Sequence, residues 1–147
     1  MTEIRTQIDI AAPAERVWKI LTNFAAYQDW NPFMRNATCP ALKHGTILEI
    51  AMLPPDAEGW TFHPVLITVQ PERELAWRGH FILPGLFDSM HSFAIDPLDA
   101  HHVRFVQSEK YSGLLVRLFR DQLTRNRAGF EEMNRALKSR AESSLIL

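Results

Sequence analysis

The chain has 147 residues, of which 46% are hydrophobic and 22% are charged, and its formal net charge is −1. This length suits one domain, over residues 1–147, with enough mass to bury a core. A charge so close to zero gives no overall attraction to nucleic acid or to an anionic membrane, and the single cysteine, Cys39, excludes an internal disulfide framework.

The N-terminal segment alternates in polarity. Ile4, Ile8 and Ile10 share one parity while charged or polar residues take the other, which predicts a half-buried strand over residues 3–10. Such a start is unlike a signal peptide, and no apolar run approaches the about 20 residues that span a bilayer. We therefore expect a protein of the cytoplasm without stable membrane insertion.

Two short helical stretches follow this strand. Pro13 suits the first turn of a helix, and the apolar positions after it share one helical face. This pattern predicts a helix over residues 13–23 and a second turn around residues 24–27. Pro32 ends the helical stretch, and residues 31–45 show no clear period.

Five further runs have the alternation or the β-rich composition of strands. They are TILEIAML (46–53), residues 60–70, LAWRGHF (75–81), LFDSMHSFAI (86–95) and HVRFVQSEKY (102–111). Short turns between them predict an antiparallel sheet, and the polar DPLDAH segment is typical of a hairpin.

The last segment, residues 113–141, changes to a helical period. The positions that recur three and four apart, most of them apolar, are Leu115, Leu118, Phe119, Gln122, Asn126, Phe130, Met133 and Leu137. The basic residues between them are interpreted as a solvated face rather than a nucleic-acid stripe. A long amphipathic helix of this kind can bury its apolar face only across the sheet, which predicts an α+β domain with space between sheet and helix.

The stretch IDIAAPAERVWKILTNFAAYQDWNPF, residues 8–33, resembles the opening of the START-related helix-grip superfamily (SRPBCC), which includes polyketide cyclases and dehydrases. VQPERELAWRG, HSFAIDP and SEKYSGLL match it further along. The resemblance implies a curved antiparallel six- to seven-stranded sheet wrapped around a long C-terminal helix, with two short helices after the first strand. It also implies a deep, mainly apolar cavity in which members bind lipids, sterols or polyketides. The superfamily shares no fixed catalytic residue, so the resemblance assigns none.

Three polar residues fall on the inward face of the last two predicted strands. If Phe93 lies opposite Phe105, then His91 lies opposite Gln107, with Glu109 diagonal to it. A His–Glu pair in an apolar cavity suits a general base with an orienting carboxylate. A cluster that orients a ligand without chemistry, or a purely structural one, is compatible with the same pattern.

The other candidates are mostly aromatic or apolar. Trp30 and Phe33 lie near the predicted cavity mouth and either line it or pack in the core, while Gly129 makes room either for a ligand or for close packing. The candidate ligand-binding residues are Trp30, Phe33, Ile50, Met52, Trp77, His91, Phe93, Phe105, Gln107, Glu109, Gln122, Asn126 and Phe130. The candidate catalytic residues are His91 and Glu109, and Ser89 is a candidate nucleophile.

Metal and phosphate chemistry are not indicated. His101 and His102 lie in a predicted hairpin turn, no His/Cys spacing resembles a zinc site, and Gly-rich phosphate loops are missing from the sequence. We expect no metal, no cofactor and no nucleic-acid partner.

Three functions stay open on this basis. The first is binding, with or without transport, of a small hydrophobic molecule such as a lipid or a polyketide-like compound, by a monomer or homodimer. The second is a polyketide cyclase or dehydratase type of enzyme that uses His91 and Glu109. The third is an interaction module, for which the Arg-bearing outer face of the last helix is the candidate surface.

Overall fold

The computed structural model describes residues 2–55, 58–81 and 83–143. The elements within those ranges are β1 (Thr2–Ile10), α1 (Ala14–Thr22), a 3-10 turn (Phe24–Ala26), α2 (Tyr27–Trp30), β2 (Met34–Thr38), β3 (Glu49–Met52), β4 (Trp60–Phe62), β5 (Val65–Gln70), β6 (Glu74–Phe81), β7 (Phe87–Asp99), β8 (His102–Ser112), a 3-10 turn (Val116–Phe119) and α3 (Arg120–Glu142). The predicted first strand and the two short helices are confirmed.

The strands form two antiparallel sheets. One has five strands in the order β1-β8-β7-β6-β5, and the other has three in the order β2-β3-β4. A single bridge between Ile47 and Val65 links them. The α+β helix-grip fold is confirmed, with eight strands in the described ranges where the sequence predicted six or seven in one sheet.

The difference in strand number has local causes. Strand β2 lies within the stretch that showed no period, because its register shifts between Arg35 and Thr38, where Asn36 has a φ of 47°. The predicted single run over residues 60–70 is divided into two strands at Pro64, which has no N–H to donate. The Pro64 carbonyl accepts instead from the Leu48 N–H at 2.8 Å.

The long helix crosses the inner face of the five-stranded sheet, where Phe130, Met133 and Leu137 are fully buried. It begins at Arg120, seven residues later than predicted. Gly113, at a φ of 120°, turns the chain so that the next two N–H groups bond to the carbonyls of residues 85 and 86. The prediction that Leu118 belongs to the buried face was therefore wrong, since Leu118 is 76% exposed, whereas the Phe119 ring does pack against the sheet, 5.0 Å from Phe87 on β7.

The pairing of β7 with β8 differs from the predicted register by two residues. Phe93 pairs with Gln107, and His91 pairs directly with Glu109. The strands continue further than the DPLDAH segment suggested, because the turn is tightened by the Asp99 side chain, which accepts from the His101 N–H at 2.7 Å. A shift of two preserves which face each side chain takes, so the inward residues are still inward.

Candidate functional site

Aromatic rings fill one part of the space between the sheet and α3. The Trp77 ring lies 5.0 Å from Phe93, Phe93 lies 6.0 Å from Phe105, and Phe33 lies 5.6 Å from Phe130, measured between ring centroids. All five side chains are fully or almost fully buried. A stack of this kind is a wall or a core rather than open space.

Gly129 in α3 serves this packing. A Cβ placed on it would lie 2.5 Å from the ring of Phe33. Of the two interpretations left open by the sequence, close packing is therefore the one observed, and the absent side chain makes room for Phe33.

A chain of buried polar side chains lies beside the rings. Its outer half begins at the half-buried Gln122, which donates to the side-chain oxygen Oδ1 of Asn126 at 3.1 Å. Asn126 donates to the Tyr111 hydroxyl at 3.0 Å, and Tyr111 donates to Glu109 Oε1. The other oxygen of Glu109 lies 3.5 Å from His91 Nδ1. The carboxylate thus receives one proton donor from β8 and faces the imidazole of β7.

The inner half of the chain forms a closed loop. His91 Nε2 lies 2.9 Å from Gln107 Oε1, and the Gln107 amide donates to Asn134 Oδ1 at 2.7 Å. Asn134 donates to the Thr6 hydroxyl at 2.8 Å, and Thr6 donates to the backbone oxygen of Gln107 at 3.1 Å. These bonds join β1, β8 and α3, and they satisfy groups that would be costly to bury alone.

The imidazole of His91 is enclosed. Because the Gln107 NH₂ group is used as a donor, its oxygen is the acceptor, so His91 Nε2 carries the proton. The other nitrogen faces Glu109, and the rings of Trp77, Phe93 and Phe130 lie 5.4, 4.5 and 4.9 Å away. Each ring nitrogen therefore lies against a protein oxygen. The side chain is only 1% exposed, so neither nitrogen faces open space.

Tyr111 stays a neutral phenol over the physiological range. Burial raises its pKa, and the adjacent Glu109 carboxylate raises it further. The hydroxyl is therefore a permanent donor to Glu109 rather than a proton source near neutral pH.

Ser89 also lies on the inner face of the five-stranded sheet, at the Tyr111 end of the polar chain. It lies on β7 opposite Tyr111 and is 4% exposed. Among the described residues its hydroxyl finds no hydrogen-bond partner. The ring of Phe62 covers the sheet beside it, in the space that a side chain on Gly79, the β6 neighbour of Ser89, would take.

The remaining candidates are dispersed. Ile50 and Met52 are buried on β3, within the same apolar cluster as the rings. Trp30 is half-buried and lines an outer groove of about 740 Å³ that also contacts Arg140, away from the polar chain. Next to it, the Asn31 side chain accepts from the backbone N–H groups of residues 33 and 34 at 3.0 and 2.9 Å, which fixes the turn into β2.

Comparison with known proteins decides the family. The sequence profile of the family described as polyketide cyclase / dehydrase and lipid transport matches residues 1–142. The chain belongs to this family. No curated protein matches the chain in sequence.

Several solved structures share the fold of this chain over almost its whole length. An aromatase/cyclase of Streptomyces sp. R1128 has 16% identity and a TM-score of 0.72, with 99% of each chain covered. A START superfamily protein of Mycobacterium smegmatis has 19% identity and a TM-score of 0.72, with 95% of this chain and 97% of that chain covered. A norcoclaurine synthase of Thalictrum flavum has 16% identity and a TM-score of 0.72, covering 94% and 92%. Identities this low show the fold alone.

For this family member, sequence reasoning missed three members of the polar chain. Tyr111 shares the parity of Glu109 on β8, Thr6 shares the parity of Ile4 on β1, and Asn134 lies four residues after Phe130 on α3. Extending each pattern by one period would have found them. Within the described ranges, no group of three or more His, Cys, Asp or Glu side chains is placed to hold a metal ion.

Proposed function

We propose that this protein binds a small, mainly hydrophobic molecule between the five-stranded sheet and α3. The observation that carries the proposal is the incomplete hydrogen bonding at the Ser89 end of the polar chain. Within the described residues, every side chain of the inner loop has a partner, whereas the Ser89 hydroxyl has none, and Gln122, Asn126 and Glu109 keep hydrogen-bonding capacity that no described bond uses. Unused polar capacity beside aromatic walls is the usual composition of a ligand site.

Family membership supports this proposal. The family's description includes lipid transport as well as cyclase and dehydrase activity. Both activities need an apolar molecule to be held away from water, which aromatic walls achieve. Whether the protein transports its ligand, and its location in the cytoplasm, stay predictions; no helix in the described ranges is long and apolar enough to cross a membrane.

Native mass spectrometry of protein purified from its own host tests the proposal. We expect a non-covalent adduct that is lost on denaturation. The variant Asn126→Trp fills the end of the site and should remove the adduct, while Ala128→Trp, on the exposed face of the same helix, should retain it. The proposal fails if wild-type protein carries no adduct and also binds no added apolar probe such as naphthalene.

An enzyme of the cyclase or dehydratase type is the second candidate. The observation in its favour is the buried contact of 3.5 Å between His91 and Glu109. Since both imidazole nitrogens have protein partners, the group that would exchange a proton with a substrate is Glu109, with His91 as its positioning residue.

This alternative makes a distinct prediction. With the molecule found by native mass spectrometry as substrate, Glu109→Gln should abolish turnover and His91→Ala should reduce it, while both variants still bind that molecule. Unchanged turnover in Glu109→Gln would exclude the enzyme hypothesis in this form.

A further inference from the structure

We propose that the end of the site formed by Glu109, Asn126 and Ser89 selects ligands that carry a neutral hydroxyl group and rejects carboxylic acids. The inference rests on the proposed function and specifies which ligands it favours. It follows from the hydrogen-bonding capacity that the three side chains retain.

Glu109 supplies unused acceptors in a nearly dry environment. Its carboxylate is 8% exposed and has about four lone-pair positions, of which Tyr111 occupies one and His91 faces another. A ligand hydroxyl would donate to a remaining position, and hydrogen bonds to charged groups are the stronger kind. A ligand carboxylate has no proton to give near neutral pH, and it would be buried beside a like charge.

Asn126 and Ser89 supply the complementary donors. The Asn126 NH₂ group has two N–H bonds, and among the residues that the structure describes one of them has an acceptor, the Tyr111 hydroxyl. The Ser89 hydroxyl has no described partner, and it lies on the inner face two residues before His91 and diagonal to Glu109. Diagonal neighbours on adjacent strands are about 7–8 Å apart, so a ligand oxygen bound at this end would lie within reach of both side chains.

A hydroxyl is the group that fits this arrangement, because it donates one hydrogen bond and accepts two. It would donate to Glu109 and accept from Asn126 or Ser89. An ammonium group could donate to Glu109 but has no lone pair for the two donors, and an unsubstituted hydrocarbon would leave all three side chains unsatisfied.

Three probes of one shape test the inference: naphthalene, 2-naphthol and 2-naphthoate, titrated by calorimetry at pH 7.5. We expect 2-naphthol to bind at least about tenfold more tightly than naphthalene, a difference of about 1.4 kcal/mol, and 2-naphthoate to bind more weakly than naphthalene. Glu109→Gln should remove the preference for naphthol and relieve the exclusion of naphthoate.

The second variant, Ser89→Ala, guards against misfolding, since it removes a hydroxyl that has no described partner and should leave stability unchanged or higher. It should weaken 2-naphthol several-fold and leave naphthalene unaffected. Binding of naphthalene with equal affinities for 2-naphthol and 2-naphthoate would overturn this inference alone. Failure of all three probes to bind would overturn it together with the proposed function.

Discussion

The substitution Gly129→Ala tests whether α3 is packed as closely against the ring of Phe33 as the structure shows. At a solvent-exposed position within a helix, replacing Gly by Ala stabilises the protein by about 1 kcal/mol. Here the added Cβ lies 2.5 and 2.6 Å from two carbons of a fully buried ring that itself rests on Phe130. Overpacking of this kind costs about 1–3 kcal/mol. The expected net effect is a loss of about 0–2 kcal/mol in the free energy of unfolding.

A double-mutant cycle separates the two contributions. In a Phe33→Leu background the ring is gone, so Gly129→Ala should now stabilise by up to about 1 kcal/mol, and the coupling energy should be about 1–3 kcal/mol. Ala128→Gly, at the exposed neighbouring position, is the matched control; it should cost about 1 kcal/mol in both backgrounds. Urea unfolding at 25 °C measures all of these values. Equal stabilisation by Gly129→Ala in both backgrounds would refute the packing described here.

Three further predictions concern buried polar groups. Burial raises the pKa values of both tyrosines, Tyr27 and Tyr111, so in alkali the folded protein keeps phenol protons that the unfolded chain loses. The free energy of unfolding should therefore fall above about pH 10, by about 1.4 kcal/mol per tyrosine at pH 11. Absorbance at 295 nm, which reports tyrosinate, should rise only when the protein unfolds. A normal tyrosinate titration in folded protein would contradict this. Asn31→Ala leaves two backbone N–H groups without their acceptor and should cost about 2–4 kcal/mol, whereas Asn31→Asp, which retains the acceptor, should cost less; equal losses in chemical unfolding would argue against the turn. Gln107→Leu removes the hydrogen-bond partner of both His91 and Asn134 and should lower the free energy of unfolding by about 2–5 kcal/mol in the same assay. An unchanged free energy of unfolding would mean that the loop is not formed.

Periodicity predicted the faces of the strands more reliably than their pairing. His91, Gln107 and Glu109 were all placed inward correctly, because a register error of two residues leaves every side chain on its own face. The predicted pairing was wrong, since pairing depends on the turn between the two strands. The Asp99 side chain fixes that turn closer to β8 than the polar composition suggested. Contacts within a site therefore need the turn geometry, which polarity patterns do not contain.

Local backbone chemistry explains the other differences. Asn36 at positive φ breaks the alternation of β2, so a real strand had no readable period. At the other end, Leu115 and Leu118 continue the helical spacing of α3 in the sequence, but backbone bonds from residues 114 and 115 to the loop before β7 hold that segment outside the helix. In both places a tertiary constraint overrides the sequence period.

The polar residues on the inner face can be divided by asking which of them have exhausted their hydrogen bonds. Gln107 uses both N–H bonds and its amide oxygen within the protein, so it has no donor left for a ligand, and stability alone explains it. Within the described ranges, Asn126 and Glu109 are bonded to Tyr111 yet keep one donor and further acceptors without a partner, and Ser89 has no partner at all. A buried polar group left unsatisfied is costly to stability, so its retention needs a reason outside the fold, and a hydroxyl-bearing ligand supplies one.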